Sequence, residues 1–255
     1  MDQQRAFADE RTDRWSLAGR RIAAGAFRRA APRARTAGPG VVIQAWRGTA
    51  APPEPEIRLP WREAAALVRS LSGRILRGRT AVEALYAWCD ARGIGAGPIR
   101  AIRRAGPKPE APGAAMAEAL ALAPDEEVEC RQVVVVRGGT VLMEADNWLV
   151  PGRLLPPVRA LLRGSSDLPF DAAIAPLEPT RRTTFLRFPH PALRETARAF
   201  LFGGRSCAPD ETVTLPPSAV VLEVEAVVLD WRRRPLAVVA ERYRAALLAG
   251  LAAAG

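Results

Sequence analysis

The chain has 255 residues, 49% apolar and 25% charged, which suits one buried core with residues left over for an arm or a small second domain. Its formal net charge of +10 is concentrated in residues 1–50, where ten basic residues face four acidic ones. Nearly all of the basic residues are arginine, and alanine is abundant. A GC-rich genome explains this composition better than polyanion binding does, although a basic arm can attract phosphate weakly. The chain contains no run of about 18 apolar residues, which excludes a transmembrane helix.

The first 59 residues are predicted to be a disordered, arginine-rich arm. They are rich in Arg, Ala, Gly and Pro, show no period that would bury a face, and end in the proline-rich run 51–55. The folded domain is predicted to span residues 60–252. Within it we expect a helical lead-in over 60–122 and a sheet core over 127–248.

Helical patterns open the folded domain. Apolar residues at helical spacing predict a first helix on Leu67, Val68, Leu71 and Ile75. Thr80 followed by Glu83 is a capping-box pattern, and Gly93 is placed to end the second helix. A short third helix is predicted over Pro98–Arg104 and an alanine-rich one over 114–122.

The pattern changes near residue 127 to that of β-hairpins. The β-branched run Val133–Val136 favours a strand within Glu129–Arg137, and Gly138-Gly139 suits the positive φ angles of a tight turn before a return strand over Val141–Val150. Val220–Leu229 and Leu236–Arg244 form a second hairpin. Each return strand contains a glutamate, and the likeness of the two hairpins suggests a pseudo-symmetric sheet.

Shorter elements separate the hairpins. The sequence predicts a helix over Pro156–Leu162, a helix over 168–175 capped by Asp167, a strand over Thr183–Phe188, a helix over Ala192–Phe202 and a terminal helix over Ala245–Ala254. Hairpins interleaved with helices indicate an α+β fold, with an antiparallel sheet flanked by helices, and not a parallel doubly wound sheet.

Histidine and cysteine are too sparse for several chemistries. His190 is the only histidine and lies between two prolines, so a Ser–His–Asp triad would depend on it alone. The three cysteines are widely spaced and odd in number, which indicates neither a disulfide framework nor a zinc site. The sequence has no GxGxxG or Walker motif. These counts therefore predict neither a zinc site nor a nucleotide cofactor, and we expect a reducing, cytoplasmic location.

Two charged residues lie on otherwise apolar strand faces. Arg131 shares a face with Val133, and Glu241 shares one with Val239 and Tyr243. An arginine suits a carboxylate because its planar guanidinium can donate two parallel hydrogen bonds. A glutamate in an apolar pocket can exchange a proton near neutral pH. The alternative is that both are surface charges at strand ends, or that they pair with each other.

Several blocks resemble the chorismate lyase family. The first hairpin, Cys130–Leu154, contains the block Glu144–Trp148, and the middle segment contains Arg181-Arg182-Thr183. Val220–Arg244 resembles the last hairpin of the family, and Tyr86–Cys89 resembles the preceding helix in a bacterial branch. The similarity covers about residues 64–248. It implies the antiparallel fold of the UTRA/chorismate lyase-like superfamily.

The resemblance also implies a reaction, the cofactor-free conversion of chorismate into 4-hydroxybenzoate and pyruvate, a step of ubiquinone biosynthesis. Arg131 matches the arginine that holds the ring carboxylate, and Glu241 matches the glutamate that binds the ring hydroxyl and acts as the acid–base group. Ile174 falls near a leucine whose backbone touches the ligand. We add Arg153, Arg181 and Arg182 as candidates for the second carboxylate, with loop-anchoring salt bridges as the alternative role.

Two other functions fit the sequence. The same fold occurs as the ligand-binding UTRA domain of GntR-type regulators, and Thr80–Arg104 can be interpreted as a helix-turn-helix, although no wing hairpin follows it. A catalytically idle protein that binds an aromatic or cyclic carboxylate is the other. The pattern does not favour nucleic acid as a partner, and it leaves the oligomeric state and the role of the arm open.

Overall fold

The computed structural model describes residues 55–104, 113–164, 167–191, 193–194 and 212–250. The helices are α1 (Trp61–Arg77), α2 (Ala81–Arg92), α3 (Ala114–Ala119), α4 (Pro156–Arg163) and α5 (Phe170–Ile174), with 3₁₀ turns at Pro151–Arg153, Ala175–Leu177 and Ala245–Leu248. The strands are β1 (Ile57–Pro60), β2 (Ile99–Arg103), β3 (Glu129–Arg137), β4 (Thr140–Leu149), β5 (Thr180–Arg187), β6 (Thr212–Leu215), β7 (Val220–Leu229) and β8 (Pro235–Arg244). These elements confirm the predicted α+β class.

Six strands form one antiparallel sheet in the order β2-β3-β4-β8-β7-β5. The two predicted hairpins, β3–β4 and β7–β8, lie side by side and meet through the pairing of their return strands. The strand order is therefore symmetric about the β4–β8 pair, as the likeness of the hairpins suggested. Their glutamates are not equivalent, because Glu144 pairs in register with Arg242, one residue away from Glu241, and so faces the other side of the sheet. Strands β1 and β6 form a separate two-stranded ribbon.

One face of the large sheet is covered by two apolar clusters. In the first, α1 and α2 pack against the sheet through buried residues such as Leu71, Leu85 and Val133. In the second, α4 and α5 pack against the other half of the same face, where Leu149 and Val239 are buried. Burial of apolar surface on this face is the main source of stability. Its division into two clusters leaves a seam between them.

Local sequence signals account for the ends of α2. The Thr80 hydroxyl accepts a hydrogen bond from the backbone N–H of Glu83 at 3.1 Å, as an N-cap should. Gly93 adopts a left-handed conformation with φ of 65° and ends the helix. Among the described residues, none of the helices combines the length and the apolar character needed to cross a membrane.

Three of the predicted elements were wrong. Pro98–Arg104 contains strand β2, because Ile99 and Ala101 alternate with exposed residues and pair with β3. This removes the second helix of the helix-turn-helix interpretation. Asp167 does not cap α5, whose N-cap is Pro169. The terminal helix is only a 3₁₀ turn as far as residue 250.

Other boundaries differ from the predicted ones or cannot be compared. Strand β1 begins at Ile57, before the predicted start of the folded domain, and β5 begins at Thr180 instead of Thr183. Most of the predicted helix over Ala192–Phe202 and residues 1–54 of the predicted arm lie outside the described residues.

Candidate functional site

Arg131 and Glu241 project from the same face of the sheet, at the seam between the two apolar clusters. On β4, Asn147 lies opposite Arg131 and Ala145 lies opposite Glu241, so only β4 separates β3 from β8 here. Strands β3 and β8 are therefore two strand spacings, roughly 10 Å, apart across the sheet, and Arg131 and Glu241 are offset by two residues along them. Both residues are only 4% exposed. The interpretation of both as solvent-exposed strand-end charges is therefore wrong.

Glu241 is paired with an arginine, but not with Arg131. Arg181 on β5 donates from Nη1 and Nη2 to Oε1 and Oε2 of Glu241 at 2.7 and 2.5 Å. The phenol of Tyr243 donates a third hydrogen bond to Oε2 at 2.7 Å. The Arg181 side chain is 7% exposed, so the ion pair lies almost entirely out of water. Of the two roles considered for Arg181, the geometry shows it bound to a protein carboxylate.

The surroundings of this pair shift the pKa values of its members. Burial by itself lowers the pKa of Arg181, but the charge of Glu241 and the hydrogen bonds to it outweigh this and raise the pKa. The pKa of Tyr243 is raised by burial and then by the negative charge of Glu241. Arg181 and Tyr243 therefore remain protonated, and both donate to Glu241.

Asp171, in the first turn of α5, brings a second carboxylate to the seam. Its Oδ2 accepts hydrogen bonds from the backbone N–H groups of Ala81 at 2.9 Å and Val82 at 3.3 Å, the first residues of α2. Burial raises the pKa of Asp171, and the charge of Glu241 raises it further. Asp171 therefore links α5 to the N-terminus of α2. Its carboxyl group also keeps its proton to a higher pH than an ordinary carboxyl group does.

A cleft, here called the sheet cleft, opens between the sheet face, α2 and the start of α5. It encloses about 290 Å³ of space between atoms, counting its open mouth. Its apolar walls include Val133, Met143, Ala145 and Phe170, and its polar groups belong to Asn147, Asp171 and Glu241. Such a surface offers a small molecule both apolar contact and hydrogen-bonding groups.

Arg131 does not itself line the sheet cleft, but it lies opposite Asn147 on β4 and two residues before Val133, and both of these residues do line the cleft. Its Nη2 donates to the backbone carbonyl of Leu168 at 3.2 Å, while Nε and Nη1 are buried without a hydrogen-bond partner among the described residues. Burial lowers the pKa of Arg131, and the positive charge of Arg103 lowers it further. A buried guanidinium with two unused donors is costly for a fold unless an anion occupies it.

Arg153 has the anchoring role that was the alternative for it. Its guanidinium is bound bidentately by Glu126 and also donates to the backbone carbonyls of Leu120, Ala121 and Pro235. The hydrogen bond to Arg153 lowers the pKa of Glu126 to about 2. All three nitrogens of Arg153 are used, so a ligand carboxylate would have to displace protein groups.

The remaining two candidates lie away from the sheet cleft. Arg182 is exposed, since strand alternation turns it away from Arg181 and from the covered face. Ile174 is 1% exposed and packs with the second apolar cluster at the end of α5. Its side chain is absent from the walls of the sheet cleft as described here.

Sequence analysis did not identify Asp171 as a site residue. Its only local signal is a carboxylate placed shortly after Pro169, where a short helix begins. Its partners, Ala81 and Val82, are about 90 residues away in the sequence. Nothing in the local pattern could have placed it beside Glu241.

Comparison with known proteins gave one curated relative. No protein-family model matches the sequence. Over 120 residues the chain is 28% identical to the uncharacterized protein y4mC of Sinorhizobium fredii, a match that covers 47% of this chain and 50% of that protein. The chain thus spans about half the length of this relative.

Solved structures with a similar course of the chain include PhnF, its effector domain, and a GntR-family transcriptional regulator. The effector domain of PhnF from Mycobacterium smegmatis is 15% identical, with 65% of this chain and 88% of that one covered and a TM-score of 0.39. The structure of PhnF from the same organism is also 15% identical, with 65% of this chain and 63% of that one covered and a TM-score of 0.38. A GntR-family transcriptional regulator from Enterococcus faecalis V583 is 11% identical, with 57% of this chain and 88% of that one covered and a TM-score of 0.26. We base the functional proposal on the residues of the sheet cleft and not on these similarities.

Proposed function

We propose that this chain is a ligand-binding module whose sheet cleft takes a small aromatic or cyclic carboxylate. The observation behind the proposal is the buried Arg131, whose Nε and Nη1 are unpaired and which lies directly opposite Asn147, a residue of the apolar-walled cleft. A ligand carboxylate would accept a hydrogen bond from one of these unpaired N–H groups and neutralise the charge of the guanidinium. The ring would then lie against the apolar walls.

The far side of the cleft suggests a hydroxyl group on the ligand. Glu241 and Asp171 line the cleft with carboxyl oxygens, and Asn147 adds an amide between them and Arg131. A ring that carries a carboxylate at one end and a hydroxyl at the other can therefore satisfy Arg131 and an acidic residue at once. We accordingly take 4-hydroxybenzoate as the test ligand.

Calorimetric titration of the purified protein tests this proposal. We expect 4-hydroxybenzoate to bind and its neutral amide, 4-hydroxybenzamide, to bind much more weakly. Arg131→Gln should weaken the affinity for the acid by about tenfold or more, because a hydrogen bond to a charged group contributes about 1.5–3 kcal/mol. Arg182→Gln, the same change on the exposed face of β5, is the control. Equal affinity of the Arg131 variant and the control would refute the proposal.

A second candidate function is the lyase reaction, and Asp171 is the observation that favours it. The raised pKa of Asp171 lets it hold a proton in the same cleft in which Glu241 presents carboxylate oxygens. Chorismate would lose its enolpyruvyl group as the ether C–O bond breaks. The ring proton that leaves on aromatisation is matched by the proton that the enolpyruvyl carbon gains, which gives 4-hydroxybenzoate and pyruvate without an oxidant or a cofactor.

Incubation with chorismate separates the two functions. A lyase forms pyruvate and 4-hydroxybenzoate in equal amounts, and Asp171→Asn should then slow turnover by about a hundredfold, because general acid–base groups contribute about that much. Binding of 4-hydroxybenzoate without any product from chorismate would leave the ligand-binding function and exclude the lyase.

A further inference from the structure

A second hollow adjoins Arg131 on the side away from Glu241. It lies where β3 begins, β2 ends and α4 passes over the sheet, and it encloses about 330 Å³ counting its mouth. We call it the arginine hollow, because its walls hold Arg103, Arg131, Arg159 and Arg163. Its floor is apolar and consists of Leu149, Leu154 and Leu162, which are all buried in the second apolar cluster.

The positive charge of the arginine hollow is only partly compensated. Glu129 is the one acidic residue in its walls, and it is bound to Arg163 at 2.6 Å. No carboxylate of the described residues pairs with Arg103, Arg131 or Arg159. Strand β2 holds Arg103, α4 holds Arg159, and between them Arg131 keeps two buried donors unused. Three separate elements thus direct uncompensated cations toward one apolar-floored space.

We propose that the arginine hollow is a second binding site, which takes an amphiphilic carboxylate. The carboxylate accepts hydrogen bonds from one unpaired N–H group of Arg131 and from Arg159, while the apolar part of the ligand lies on the leucine floor. A purely ionic ligand such as phosphate would make no apolar contact with that floor, and a neutral apolar one would leave Arg131 unpaired. The arginine hollow shares no lining residue with the sheet cleft; Arg131 lines the hollow and lies opposite Asn147, which lines the cleft.

Titration of the full chain with sodium octanoate tests this site. We expect octanoate to bind, and octanamide and inorganic phosphate each to bind at least about tenfold more weakly, because each lacks one of the two recognised groups. Arg159→Gln and, as a second variant, Arg103→Gln should weaken octanoate binding, by about tenfold for Arg159. Both residues reach solvent, so both variants should fold, which an unchanged circular dichroism spectrum would verify.

The same variants separate this inference from the proposed function. Arg159→Gln should leave the affinity for 4-hydroxybenzoate in the sheet cleft unchanged, and Arg182→Gln should change neither ligand. Octanoate binding that is the same in the wild type and in both hollow variants, or phosphate binding as tight as octanoate binding, would overturn the second site alone. Octanoate binding without 4-hydroxybenzoate binding would overturn the sheet-cleft proposal alone.

Discussion

At the residue scale, the buried pair of Arg181 and Glu241 ties the edge strand β5 to β8 across β7. Removing two charges from water is costly, and the cost is recovered here by a bidentate geometry with Tyr243 as a third donor. The pair also fixes the orientation of Glu241 toward the sheet cleft. The pair therefore stabilises the fold only while both partners are present, because either charge would be buried without a counter-ion if the other were removed.

Removal of one partner should cost far more than removal of both. We expect Arg181→Met to lower the free energy of unfolding by about 3–5 kcal/mol, because it leaves the Glu241 carboxylate buried without its cation. Adding Glu241→Gln should restore much of the loss. Urea unfolding measures both variants, with Arg182→Met as a control expected to change stability by less than about 0.5 kcal/mol. A double variant less stable than Arg181→Met would contradict this account.

Asp171 makes stability depend on pH. Its raised pKa means that the folded chain keeps a proton at a pH where the unfolded chain has lost it. The wild type should therefore lose stability relative to Asp171→Asn as the pH rises from the ordinary carboxyl range, about 4, through the raised pKa. The asparagine can still accept a hydrogen bond from the start of α2. Measuring the free energy of unfolding of both proteins at a series of pH values tests this prediction. A wild type that becomes more stable relative to the variant as the pH rises would refute it.

At the element scale, the hairpins were predictable because their signals are local. The β-branched run in β3 and the two glycines after it specify a strand and a turn without reference to the rest of the chain. Strand β2 was predicted as a helix because Ile99 and Ile102 have helical spacing, and the pairing with β3 that decides the matter is tertiary. The bond between Arg181 and Glu241 spans 60 residues, so no local pattern could reveal it.

The β3–β4 turn offers a matched pair of glycines. Gly138 and Gly139 have φ of 53° and 84°, so alanine is strained at either position, by about 1–2 kcal/mol. A Cβ at Gly138 would also lie 2.5 Å from the backbone nitrogen of Ala96, while a Cβ at Gly139 would have no described atom within 4 Å. Gly138→Ala should therefore lower the thermal midpoint more than Gly139→Ala. Equal midpoints would show that the contact with Ala96 is relaxed at no cost.

At the scale of the whole molecule, the site exists because one sheet face supports two apolar clusters instead of one. Polar side chains from β3, β5, β8 and α5 converge on the seam, where apolar packing excludes water on both sides. Sequence alternation placed Arg131 and Glu241 each on an otherwise apolar strand face, and left open whether they point into a pocket or lie at the surface. It could not predict that the two strands are separated only by β4, because strand order is a property of the folded sheet.

The most direct test of the sheet-cleft proposal is a crystal structure of the protein with 4-hydroxybenzoate. We predict that the ligand carboxylate lies about 2.7–3.2 Å from Nε or Nη1 of Arg131, with the ring between Val133 and Phe170 and the hydroxyl toward Glu241 or Asp171. A ligand bound outside the cleft, or one whose carboxylate leaves both Arg131 donors unpaired, would contradict the account.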